Sequence, residues 1–219
     1  MNVLITGATG MVGRSVLLEC LEDNSINTVF LLSRKSIDIK HPKIQEVLVS
    51  DFEKITTETF QGLSIDACFH CMGISSVGQS EEAFSKVTFD ITKILMDALY
   101  VLNPSMVVTY VSGTGTDETE NGKVMWARVK GKTENYILSK GFKKSYMFRP
   151  GMILPEKGVK SRTFLYQFFY VILRPFFPLF KLSKNVTTSS KLGKAMIRLI
   201  TKEYPSVYIE NRDVNEIVG

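Results

Sequence analysis

The sequence predicts an α/β protein built on a parallel sheet with helices on both faces. Three features of its first 150 residues agree on this. Short apolar runs alternate with stretches of helical period. The runs are apolar almost throughout, as strands buried on both faces require. A glycine-rich turn lies between the first run and the first helical stretch.

Each element follows from its residues. Val3-Leu4-Ile5 reads as a first strand and Met11 to Glu22 as a helix; Thr28 to Ser33 reads as a second strand and Glu46 to Ser50 as a third. Ala67 to Cys71 gives a fourth. A long helix follows over Glu81 to Tyr100, its apolar stripe formed by Phe84, Val87, Ile91, Ile94, Leu95 and Ala98. Met106 to Val111 is a fifth strand, Trp126 to Ser139 a helix and Ser145 to Phe148 a sixth strand. After Pro150 the rhythm changes to Pro-, Gly- and aromatic-rich sequence. The expectation is one unit over 1–219, with 151–219 contributing a small C-terminal lobe. In that stretch Ser190 is read as the cap of a helix reaching Leu199, and Val207 to Ile209 as an edge strand.

The chain has 219 residues. A domain near this size buries roughly 70 % of its unfolded surface and needs no metal or disulfide staple. With 44 % hydrophobic and 22 % charged residues, disorder and fibrous repeats are excluded. Three cysteines are too few for a disulfide framework, and the odd number fits a reducing compartment. Met1 to Thr6 carries no basic segment, so no signal peptide is expected and the expected location is cytoplasmic.

The net charge of +5 conceals a strong asymmetry. Residues 1–119 hold 8 Lys/Arg against 15 Asp/Glu, whereas residues 120–200 hold 17 against 3. Such a basic stretch favours anionic ligands or surfaces. No nucleic-acid-binding motif accompanies it, so no nucleic acid partner is expected.

The most informative motif is Gly7-Ala8-Thr9-Gly10-Met11-Val12-Gly13, followed by Arg14. Gly7 permits a tight turn, Gly10 lets a pyrophosphate approach the backbone, and Gly13 lets the helix lie close to the strand. Free amides at the helix start then face the ligand's charge. This is the phosphate-binding turn of a Rossmann-type, doubly wound parallel sheet. At the end of the second strand a carboxylate would accept the ribose 2′-hydroxyl of NAD(H). Ser33-Arg34-Lys35 stands there instead. Arg14 and Arg34 suit an additional phosphate, so NADP(H) is preferred and NAD(H) is the alternative.

These residues resemble the short-chain dehydrogenase/reductase superfamily. The resemblance rests on Gly7–Gly13, Asp51-Phe52, Cys71-Met72-Gly73, Ser112-Gly113-Thr114, Lys130 and Arg149-Pro150-Gly151. Within the superfamily the chain is similar, nearly end to end, to atypical epimerase/dehydratase-type members and to the Tat-interacting-protein-like oxidoreductases. The string Val129-Lys130-Gly131 with Glu134, then Phe148 to Gly151, is the most specific part. The resemblance implies that Asp51 and Phe52 contact adenine, and that Met72, Gly73 and Pro150 line the nicotinamide side. It also implies that Thr114, with Ser112 as competitor, orients a small-molecule substrate, and that Lys130 holds the nicotinamide ribose.

The family's proton relay is Tyr-x-x-x-Lys, which puts both side chains on one helical face. Here the residue four before Lys130 is Trp126. An indole N–H donates but exchanges no proton near neutral pH. Two readings follow: an oxidoreductase or epimerase-type enzyme of unknown substrate, or a catalytically silent NADP(H)-binding regulatory or redox-sensing protein. Tyr110 or Tyr136 as a displaced acid, and Trp126 stacking near the nicotinamide, both stay open.

Other features have plainer readings. Cys68-Phe69-His70-Cys71 lies on a strand, where residues three apart face opposite ways, so no metal or redox pair is expected. The aromatic run 164–182 reads either as substrate-lobe helices or as a peripheral membrane wedge. Lys157, Lys160 and Arg162 read either as an anion site for the substrate or as a solvated basic face. A monomer and a dimer are both compatible with the pattern.

Overall fold

The computed structural model describes residues 1–159 and 183–219. Its centre is a seven-stranded sheet formed by β1 (Asn2–Thr6), β2 (Thr28–Ser33), β3 (Ile44–Leu48), β4 (Ala67–His70), β5 (Val107–Val111), β6 (Lys144–Arg149) and β9 (Tyr208–Glu210). The strand order is β3-β2-β1-β4-β5-β6-β9, and every pairing is parallel. The chain moves outward from β1 to β3, then returns with β4 on the other side of β1. A crevice therefore opens at the carboxyl ends of β1 and β4, where ligands of such sheets bind.

The two faces of the sheet are read directly from strand alternation. Val3 and Ile5, Val29 and Leu31, and Ala67 and Phe69 enter one apolar layer with α1 (Met11–Glu22). The C-terminal helix α5 (Ser189–Thr201) packs into that layer and against α1, where a Cβ on Gly193 would come 3.1 Å from the Val16 Cα. Leu4, Phe30, Leu32, Cys68 and Val108 enter the other layer, with Phe52 and Phe60 from two 3₁₀ turns. The helices α3 (Ile91–Leu102) and α4 (Met125–Ser139) close that side through Leu95, Leu99 and Ile137.

Three predicted elements shift for physical reasons. β3 begins two residues earlier than the apolar pattern suggests. Lys43 stands just before it, and its ammonium donates to the carbonyls of Leu21 (2.9 Å) and Asp23 (2.8 Å) at the end of α1. The helix from Glu81 is continuous into α3, but Lys86–Asp90 are wound as a π turn between α2 (Glu81–Ser85) and α3. Thr88 and Thr92 are buried beside this turn, while Ile91 packs at the margin of the second layer and Val87 is only half-buried. The cap of α5 is Thr188, whose hydroxyl accepts from the Lys191 amide at 3.2 Å; Ser190 is buried one residue inside the helix.

After Pro150, β7 (Met152–Leu154) pairs in parallel with β8 (Val186–Thr188) as a separate ribbon, and α6 (Asn211–Val218) ends the chain. Asn211 knits these pieces together. Its side chain donates to the carbonyls of Met152 and Asn185 and accepts from the Gly151 amide.

Candidate functional site

The glycine turn is fixed by close backbone approach. Gly7 has a left-handed φ of +69°, and a Cβ there would lie 2.6 Å from the Cys71 carbonyl oxygen, on the loop after β4. A Cβ on Gly13 would lie 2.3 Å from the Gly7 carbonyl oxygen. The fold therefore requires both glycines. Gly10 differs: a Cβ there would meet only the Gly7 oxygen, at an ordinary 3.4 Å. Its open side faces outward at the N-cap of α1, where no side chain caps the first amides. Beside it lies a cavity of about 440 Å³, lined by Thr9, Gly10, Arg14, Leu18, Ile37 and Val159 among others.

The rim of this cavity carries positive charge. Arg14 lines it directly, and neither Arg14 nor Arg34 pairs with an acidic group among the described residues. At the end of β2 the Ser33 hydroxyl donates to the Lys35 carbonyl at 2.8 Å. The nearby carboxylate of Glu46 is occupied by the Ile37 amide at 2.7 Å. Free amides, an open glycine face and cations without acidic partners fit a dinucleotide pyrophosphate. Further along, Asp51 accepts from the Glu53 amide at 3.0 Å and Phe52 is buried under the sheet. Gly73 is exposed after β4, with open space where a Cβ would stand.

Met72 is held by a buried polar chain. The Thr92 hydroxyl donates to the Thr88 carbonyl (2.6 Å), so it must accept from His70 Nε2 (2.9 Å). His70 Nδ1 is then the unprotonated nitrogen and accepts from the Thr6 hydroxyl at 2.8 Å. The Thr6 oxygen in turn accepts from the Met72 amide at 3.3 Å. Complete burial lowers the His70 pKa to about 4, so the ring is neutral. The end of β1, the end of β4 and α3 are thereby tied together beneath the glycine turn.

The other half of the site lies at the end of β5. Ser112 is 5 % exposed, and its hydroxyl donates to Glu134 Oε1 at 2.5 Å. Glu134 is fully buried and also forms an ion pair with Arg149 at 2.5 Å. Arg149 reaches Glu118 and lies over the Tyr208 ring. Lys130, one turn before Glu134 on α4, donates to the Ser112 carbonyl. Burial brings its pKa down to about 8, against a smaller opposing effect of Glu134. Thr114 is exposed, its hydroxyl donating to the Arg149 carbonyl at 3.0 Å and its amide to the Pro150 carbonyl at 3.1 Å. Trp126 is half-buried, with its ring tip 3.7 Å from where a Cβ on Gly115 would stand.

The sequence singled out neither His70 nor the Ser112–Glu134–Arg149 brace as site structure. The i, i+4 spacing of Lys130 and Glu134 was the available signal. Close approach also explains Gly131, where a Cβ would overlap the Asp117 carbonyl oxygen at 1.7 Å.

The two candidate displaced acids are committed elsewhere. Tyr110 is fully buried in the second apolar layer, stacked on His70, and burial pushes its pKa well up. Tyr136 donates to Asp97 on α3. Cys68 and Cys71 join opposite apolar layers. Lys157 pairs with Glu19 (2.7 Å) and Glu22 (2.5 Å) on α1, so its charge is matched within the fold. Lys160, Arg162 and the aromatic run 164–182 lie outside the described residues. Among the described residues, no helix is long and apolar enough to cross a membrane.

The switch-point crevice and glycine turn define a Rossmann-type α/β protein. Residues 3–202 match the model of the NAD dependent epimerase/dehydratase family, and the chain belongs to that family, as an atypical short-chain dehydrogenase/reductase. Among its relatives is the mitochondrial protein FMP52 of Debaryomyces hansenii. It is 26 % identical over 172 residues, which cover 75 % of this chain and 74 % of the relative. Protein HTATIP2 of Rattus norvegicus is 26 % identical over 168 residues, covering 71 % and 64 %. Two solved structures share the fold. One is Bordetella bronchiseptica WbmH in complex with NAD+ (TM-score 0.69, 14 % identity, covering 95 % of this chain and 74 % of that one). The other is the UDP-glucose 4-epimerase of Thermotoga maritima with UDP-glucose (TM-score 0.69, 14 % identity, covering 100 % and 80 %).

These relatives correct the expected cytoplasmic location. FMP52 proteins of three yeasts are named as mitochondrial, which points away from the cytoplasm. Free thiols exclude a disulfide framework, but they do not tell one reducing compartment from another.

Proposed function

We propose that this protein binds NADP(H) in preference to NAD(H) and uses it in oxidoreductase or epimerase-type chemistry on a small molecule. The observation that carries the preference is the cavity beside Gly10, with Arg14 in its wall and no carboxylate at the end of β2. The carboxylate nearest that strand end, Glu46, already accepts from the Ile37 amide, whereas a 2′-phosphate would meet the guanidinium groups of Arg14 and Arg34.

The chain's own residues divide the work. Thr9 to Gly13 present amides to the pyrophosphate, and Arg14 and Arg34 hold the extra phosphate. Asp51 and Phe52 border the adenine. Met72, Gly73 and Pro150 flank the nicotinamide, Lys130 holds its ribose, and Thr114 orients substrate. When bound, the dinucleotide gives or takes a hydride. The test is titration with NADPH and NADH of the protein and of Arg14→Glu. NADPH binding at least tenfold tighter, with the gap closed by Arg14→Glu, is expected; equal or NADH-biased affinity refutes the preference.

One observation favours the silent, cofactor-sensing reading: Trp126 stands where the relay tyrosine belongs, and Tyr110 and Tyr136 are both committed elsewhere. Tight NADPH binding without turnover of aldehydes, ketones or quinones would support that reading.

A further inference from the structure

Lys130 is unusual among the lysines of this fold. Its ammonium has three N–H donors, and one of them goes to the Ser112 carbonyl. The other two meet no acceptor among the described residues. Carboxylates pair with Lys93, Lys140 and Lys157, and helix-end carbonyls accept from Lys43, but Glu134, the acid closest in sequence to Lys130, is spent on Ser112 and Arg149. Lys130 is partly buried, and a cation held there by one carbonyl and no carboxylate keeps donors for a ligand and gives up its proton more easily than an exposed one.

We propose that Lys130 itself supplies the proton to the substrate oxygen, the task a tyrosine at position 126 would otherwise perform. This rests on the reading of the crevice as a nicotinamide dinucleotide site. In carbonyl reduction, the substrate carbon receives a hydride from the reduced nicotinamide and the carbonyl π pair moves to oxygen. A Lys130 N–H bond breaks, its electron pair stays on nitrogen, and the proton forms the new O–H bond. The neutral amine then recovers a proton from water. The reverse sequence serves oxidation, with the amine as base.

The surroundings suit this exchange. Glu134, one turn further along α4, is the charged group that acts on Lys130, and the backbone of Asp117, in the loop after β5, packs against the neighbouring Gly131. Asp117 is bound by the Thr119 hydroxyl and the Gly122 amide, and Glu134 and Glu118 both face Arg149. No carboxylate is left to hold Lys130 permanently charged, and burial brings its pKa down to about 8. A donor poised there gives up its proton far more readily than an exposed lysine, whose ordinary value is about 10.4.

Two measurements test the assignment. The first is pH-dependent labelling of the amines with acetic anhydride, read peptide by peptide by mass spectrometry. A midpoint for Lys130 near pH 8, two units below the exposed lysines, is expected; a midpoint among the exposed lysines overturns the proposal. The second compares the protein with Lys130→Arg, which keeps charge and donors but cannot release a proton. At saturating NADPH, carbonyl reduction should fall about 100-fold or more, whatever loss of the ribose contact does to NADPH affinity. Unchanged turnover in Lys130→Arg, or NADPH binding with no turnover of any carbonyl in the panel, overturns the proton role alone. Absence of NADPH binding to the unaltered protein overturns instead the reading of the site.

Discussion

Acid should weaken this fold in part through His70, and the size of that part follows from its surroundings. The ring is buried, and both nitrogens are used by Thr6 and Thr92. The folded-state pKa lies near 4, below the ordinary 6.5. As pH falls through 6.5 the unfolded chain takes up a proton that the folded chain refuses until about pH 4. Stability is therefore full above pH 6.5 and is lost between 6.5 and 4. At 1.36 kcal/mol per unit, this amounts to about 3 kcal/mol, a large part of a typical domain's stability. Because the same histidine anchors Thr6, and through it the Met72 amide, cofactor affinity should weaken over the same interval. Urea unfolding at several pH values from 7.5 to 4.5 measures the loss. His70→Gln supplies a donor and an acceptor without titrating, so its curve should be flatter. Carboxylates affect both proteins alike and cancel in the comparison. Parallel pH dependence in the two proteins would refute the argument.

Two further outcomes follow from the site's packing. Gly10→Ala should lower Tm by no more than about 4 °C, since its Cβ meets only one atom at 3.4 Å, yet weaken NADPH binding at least tenfold. Unchanged affinity would mean that the ligand does not approach there. Glu134→Gln keeps the shape but leaves Arg149 without its buried partner, which should cost about 3 kcal/mol, or a fall of roughly 6–12 °C in Tm. A fall below about 2 °C by calorimetry would show that Glu118 and the Tyr208 ring hold Arg149 well enough alone.

Much of the site was legible because its chemistry is local. Gly7, Gly10 and Gly13 sit within seven residues of one another, and backbone requirements at that range are written in residue type. Trp126 and Lys130 are one helical turn apart, so the lack of a tyrosine at that spacing could be read by counting. The Ser112–Glu134–Arg149 brace spans three elements separated by up to 37 residues, and nothing in the sequence says that they meet. The fate of Lys157 was hidden for the same reason: its carboxylate partners lie on the first helix, 135 and more positions away. The edge strand β3 was displaced by two residues because Lys43 anchors its start to the end of α1, a contact that apolar periodicity does not register.

Residue order alone determined the alternation of strands and helices, the sheet's two buried faces and the position of the phosphate turn. Each depends on neighbours a few bonds or one helical turn apart. Only the folded chain decided which carboxylates neutralise which cations, and which polar groups are left over. Burial and pairing arise between distant segments, so the neutrality of His70, the matched charge of Lys157 and the spare protons of Lys130 exist only once those segments are packed.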